Sequence, residues 1–73
     1  MDEIKKAIAD ELADVMKYMN MAKDCKHGSV LEDIAAEEMQ HAKNLQTILG
    51  EQIMPEQWRM AREALHGAEL GDT

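Results

Sequence analysis

The chain has 73 residues, which bounds it to one small domain, expected to span residues 1–73. Its net charge of −7 disfavours nucleic acid and anionic membranes as partners, and it raises the local concentration of cations. One cysteine, Cys25, excludes an intrachain disulfide, so metal or self-association remains to reinforce a marginal core.

Charged residues follow Met1 at once, and neither a leader-like nor a membrane-length apolar run is visible. The expected location is therefore the cytoplasm or another intracellular compartment. Phe is absent, and Trp58 and Tyr18 are the only aromatics. Ala, Leu, Ile and Met supply the apolar side chains, which favours helices over strands.

The spacing predicts a first helix over residues 2–24. Ile4, Ile8, Leu12, Val15, Met19 and Ala22 recur at helical intervals and share one face. Glu11 falls at the edge of that face, and Tyr18, seven residues on, nearly eclipses it. Asp10, Asp14 and Lys17 point away from the stripe or flank it. A turn follows over residues 25–28, in which Gly28 is expected to take a positive φ. Ser29 and Glu32 then read as a capping box.

The second helix is expected over residues 30–49, with Gly50 as its stop. Its stripe reads Leu31, Ile34, Ala35, Ala42, Leu45, Ile48 and Leu49, with Glu38 near the centre by angle and His41 within about 60° of it. The short connection implies that the first two helices fold back antiparallel. Pro55 suits the first position of a third helix, expected over residues 55–66 and ending at Gly67. Its apolar face is Met54, Trp58, Ala61 and Leu65. Residues 67–73 read as polar and frayed.

Glu38 and His41 form a Glu-x-x-His pair, which puts a carboxylate and an imidazole on one helix face, about 4.5 Å apart along the axis. The motif alone is weak, since Glu63 and His66 repeat it. Placement separates the two. Glu63 lies opposite Trp58, Ala61 and Leu65, whereas Glu38 lies amid Ile34, Ala35, Ala42 and Leu45. Glu11 brings a second carboxylate to the apolar side, and Lys17 and Lys43 face elsewhere. Two such carboxylates without a basic partner repel, and a cation resolves the conflict. The other reading leaves these groups hydrated at a loose helix edge. Oxygen ligands with imidazole suit iron, manganese or zinc.

One chain supplies Glu11, Glu38 and His41, too few ligands for two metals. Two chains supply four Glu and two His, the ligand set of a di-metal carboxylate bundle. The expected fold class is therefore all-α. An antiparallel two-helix hairpin with a short C-terminal helix completes a four-helix bundle by homodimerisation. The dimer is also expected to bury the apolar stripe that one hairpin leaves uncovered.

The run Asp10-Glu11-Leu12, Tyr18 and Cys25, followed by Glu37-Glu38 and His41-Ala42, resembles the ferritin-like di-iron proteins. More narrowly, it resembles the encapsulated ferritins, single hairpins that dimerise to complete a ferroxidase centre. The likeness spans residues 10–45. It implies a di-iron cofactor held by Glu11, Glu38 and His41, with Tyr18 near or on the metal. It further implies oxidation of Fe(II) to Fe(III), a role in iron storage, a ring built from dimers, and residence inside a protein shell or nanocompartment. Asp10 keeps an acid at the family's outer metal-uptake position, while Ala13 and Lys17 depart from the pattern there. No shell-targeting tail is recognisable after Gly67.

Other residues admit two readings each. Tyr18 is a ligand, a partner of a ligating Glu, or a core tyrosine with its hydroxyl satisfied. The scattered methionines suit core filling better than copper. Cys25 and His27 are near enough to share a metal, but two ligands make a poor site. A second functional reading also fits the same ligands: zinc or manganese locks the dimer without catalysis, and the Trp58 face binds a partner.

Overall fold

Helix α1 runs from Asp2–Ala22, α2 from Gly28–Leu49 and α3 from Pro55–Leu70. The computed structural model describes residues 2–50 and 53–70, with side chains as far as residue 67. No strand occurs among the described residues.

The core follows from the spacing of apolar residues. Ile8, Leu12, Val15 and Met19 of α1 are buried, as the sequence predicts. Ala35, Met39 and Ala42 of α2 and Trp58 and Ala61 of α3 close around them. Ile8, Leu12 and Val15 are the largest fully buried side chains, and they meet small alanines on both neighbours. That pairing of large with small lets helix axes approach and fills the space between them. Helix α1 packs against both α2 and α3, while α2 and α3 touch only slightly. Contacts between α1 and α2 run in opposite order along the two helices. Gly28 lies against Ala22 at one end, and His41 meets Glu11 further in.

The buried face of α2 differs from the expected one. It centres on Ala35, Met39 and Ala42, a rotation of roughly 60° from the stripe read in the sequence. Ile48, placed in that stripe, is 58% exposed. Trp58 and Ala61 of α3 share one core cluster with Met39. The third helix supplies a second layer over part of the α1–α2 pair.

The start of α2 also corrects the sequence reading. Ser29 is not the cap. The helix begins at Gly28 with His27 as N-cap, and no side chain caps it. The His27 carbonyl accepts the N–H of Val30 at 3.1 Å and that of Leu31 at 3.4 Å, the first bonds of the helix. Gly28 does not take a positive φ. Its smallness serves a close approach instead, since a Cβ there would lie 2.8 Å from the Ala22 carbonyl oxygen. Backbone cannot swing aside as a flexible side chain can. Gly28→Ala is expected to cost about 1–3 kcal/mol in urea unfolding by forcing the helix ends apart. Unchanged stability would show that the junction relaxes freely.

The helix ends complete the comparison. Helix α1 stops at Ala22, two residues early, where Lys23 and Asp24 donate to the carbonyls of Asn20 and Met21 in a tightened turn. Gly50 ends α2 as expected, with φ 77° and its N–H donating to the Gln46 carbonyl at 3.2 Å. Pro55 opens α3 as expected. Just before it, Met54 adopts φ 50°, an uncommon conformation for a side-chain-bearing residue, and its carbonyl accepts the Trp58 N–H at 3.1 Å. Gly67 does not stop α3, which continues to Leu70. Residues 71–73 lie outside the described ones. No described helix is long and apolar enough to cross a membrane.

Candidate metal centre

The rotation of α2 that buries Met39 moves Glu38 to the flank of the core, where its side chain keeps 18% exposure. Glu11 takes the matching position on α1, 25% exposed. Both carboxylates therefore sit in the groove where the two helices meet. His41, one turn beyond Glu38, leans across that groove. Its Nδ1 lies 3.2 Å from Glu11 Oε2 and 3.2 Å from Glu38 Oε1. One donor atom from each of the three residues falls within 4.8 Å of the others. No other described group of three or more His, Cys, Asp or Glu residues gathers donors this way.

The electrostatics are unbalanced. Among the described residues, His41 is the only ion-pair partner of either carboxylate. Burial, then the charge and hydrogen bond of Glu11, hold the Glu38 carboxyl above its ordinary pKa; His41 opposes them. Lys6 pairs with Asp10 at 3.0 Å, and Arg59 spans Glu56 and Glu63 on α3. Two crowded carboxylates beside an imidazole are a donor set that a divalent cation satisfies, and its hard oxygens with one nitrogen fit iron, manganese or zinc.

The structure brings together Glu11, Glu38 and His41, the three residues singled out in the sequence. The second Glu-x-x-His pair does not gather three donors. Glu63 is exposed and bridges to Arg59 at 2.9 Å. Tyr18 lies half-buried against the core, about 10 Å along α1 from Glu11, with the Lys17 ammonium 5.2 Å from its ring centroid. Cys25 is exposed in the α1–α2 turn, where its Sγ accepts the His27 N–H at 3.4 Å. Trp58, assigned to a partner-binding face in one sequence reading, is instead buried in the core.

One residue escaped the sequence reading. Asp14, set aside as flanking the stripe, is the last of the causes that hold the Glu38 carboxyl above its ordinary pKa. The signal was present, because Asp14 is three residues beyond Glu11 and shares its helix face. It was missed because the groove lies to one side of the buried stripe rather than along it.

Fold and donors together define a helical carboxylate–histidine metal-binding protein. The family model for Rubrerythrin matches residues 2–69, and the chain belongs to that family, within the ferritin-like di-iron superfamily. Its members bind iron, and oxidoreductase activity is common among them. No curated protein and no solved structure gives a match.

Proposed function

We propose that two copies of this chain join across a two-fold axis, hold two iron ions with Glu11, Glu38 and His41 from each, and oxidise Fe(II) to Fe(III). The observation that carries this reading is the meeting of His41 Nδ1 with both carboxylates at 3.2 Å, with no Lys or Arg bridging to either among the described residues. Iron is then the substrate. Two Fe(II) each give one electron, and O2 takes both with two protons to become H2O2. Glu11 and Glu38 favour the product because paired negative charge stabilises the higher oxidation state more than the lower. His41 supplies a neutral nitrogen donor. Tyr18 is assigned a place beside the centre, as a hydrogen-bond partner or ligand from the next turns of α1.

Two features support the second copy. Three donors from one chain leave a metal short of ligands, and a two-fold partner doubles the set. The groove side also carries unspent apolar surface. Val30 and Ile48 are 54% and 58% exposed at opposite ends of α2, and five full turns of helix set them at the same angle, beside His41. In this reading, two α1–α2 hairpins supply the four helices of the central bundle, and each α3 lies outside it. A ring of such dimers inside a protein shell, as the encapsulated ferritins form, is the extension that would give oxidised iron a place to accumulate. Ile48→Lys is expected to reduce metal-dependent dimerisation at least ten-fold, measured by sedimentation, with the monomer still folded. Full dimerisation by this variant would remove α2 from the interface.

Anaerobic Fe(II) titration followed by oxygen tests the activity. Rapid Fe(III) absorbance saturating at two irons per dimer is the expected result, and wild-type rates from Glu38→Ala would overturn the assigned site. The non-catalytic alternative, a zinc- or manganese-locked module, makes a different forecast: those ions raise the melting temperature while Fe(II) oxidises no faster than free in buffer.

A further inference from the structure

Helix α2 carries a symmetric set of side chains on the face turned away from its buried Met39. Val30 and Ile48 stand nine residues before and after Met39, and Glu37 and His41 stand two before and after it. At roughly 100° per residue, all four fall within about 20° of the line opposite Met39. All four are exposed. Along the helix the face therefore reads apolar, acidic, imidazole, apolar. His41 also has an unused end. Its Nδ1 faces Glu11 and Glu38, and no hydrogen bond among the described residues engages Nε2. A histidine that holds a metal through one ring nitrogen commonly donates from the other to a carboxylate. Glu37 of the same chain does not fill that role, since its side chain makes no ion pair with His41.

We propose that α2 pairs antiparallel with α2 of a second copy, Val30 against the partner's Ile48, so that Glu37 is a positioning residue that accepts the Nε2–H of the partner's His41. The proposal rests on reading the chain as a two-fold, metal-binding dimer, to which it adds a register and a residue supplied across the interface. Charge selects the antiparallel arrangement. A parallel pair would set glutamate against glutamate and histidine against histidine at the centre of the contact. The antiparallel pair sets each acid against an imidazole, and like charges no longer meet. The two helix dipoles then also run in opposite senses. Apolar pairs flank the polar ones on both sides and shield them from water, which strengthens the carboxylate–imidazole hydrogen bonds. Each such bond fixes the ring of a ligating histidine from the side remote from the metal.

Co(II) is a suitable probe because it resists oxidation by air and reports its ligand field in the visible spectrum. Chains carrying Val30→Cys and chains carrying Ile48→Cys, all with Cys25→Ser, are mixed with Co(II) and treated with a short bismaleimide. The mixed cross-linked dimer is expected to dominate over both like pairs, and like pairs in equal or greater yield would overturn the register. The mixed dimer then lets a substitution be confined to one chain. With His41→Ala in one chain, a single complete ligand set remains, around the other chain's histidine. Glu37→Gln in the His41→Ala chain is expected to weaken Co(II) binding there about 10-fold and to shift the Co(II) bands, the scale at which a partner of a metal ligand acts. The same substitution in the chain that keeps its histidine should change neither. Metal-free melts show that each variant folds. Equal effects from the two placements, or none from either, would overturn the role of Glu37 while leaving the metal centre standing. Failure of the wild-type chain to bind Co(II) would overturn both.

Discussion

Glu38→Gln is expected to do two opposite things: stabilise the metal-free protein at neutral pH and abolish its stabilisation by metal. The first effect follows from the raised pKa of Glu38. The folded state holds that proton more tightly than the unfolded chain, whose carboxyl titrates near its ordinary value of 4.5. As pH rises from 4.5 through the folded-state value, the unfolded chain ionises first and stability falls. It stays lower above that window, where Glu38 is charged beside Glu11. Gln has no proton to lose, so the variant should escape this part of the decline. Comparing metal-free melts of the two proteins at pH 4 and pH 7 isolates it from the other titrating groups.

The second effect is larger. A ligand of the native state at 100 times its Kd stabilises by about 2.7 kcal/mol, on the order of 10–20 °C for a domain of this size. Wild type should show that rise with a divalent cation, and Glu38→Gln should show almost none. A variant less stable than wild type without metal, or one still raised by metal, would place Glu38 outside the centre.

Trp58→Ala is expected to unfold the chain at room temperature. The substitution removes the largest side chain that α3 contributes to the core, at a cost of about 3–5 kcal/mol. A core in a chain this short rarely supplies more than about 3–5 kcal/mol in total. Circular dichroism should show lost helix and no cooperative melt. Trp58→Phe should be much milder. Its ring fills most of the space and removes an indole N–H that has no hydrogen-bond partner among the described residues. A near-wild-type melt for Trp58→Ala would mean that α3 is not the second layer.

The sequence made the three helices and the three donors legible for different reasons. Helix α1 was read closely because Ile8, Leu12, Val15 and Met19 repeat without interruption, so periodicity alone finds the buried face. Helix α2 misled because it has apolar residues on two sides. One set, around Met39, meets α1 and α3, and the other, with Val30 and Ile48, faces out. A stripe averaged over both falls between them, at Glu38. Glu11, Glu38 and His41 were nonetheless singled out, and they meet in the structure, since a carboxylate near apolar neighbours stands out wherever the face is centred. Gly28 was misread because a glycine needed for close approach looks the same in sequence as one needed for a turn. The third helix was underestimated because a short apolar face does not reveal what it will cover.

Helix α1 lies between two neighbours that scarcely touch. One side of it carries Glu11 into the groove with Glu38 and His41, and its buried stripe holds Ile8, Leu12 and Val15. Binding and folding thus have largely separate addresses in this chain. Substitutions in α3 that leave the chain folded should register as lost stability with metal affinity intact, and those on the groove side of α2 as the reverse. Only α1 answers to both demands. It is the stretch where a tolerated change should be rarest, and where a library screened for metal binding and one screened for stability should reject the same variants.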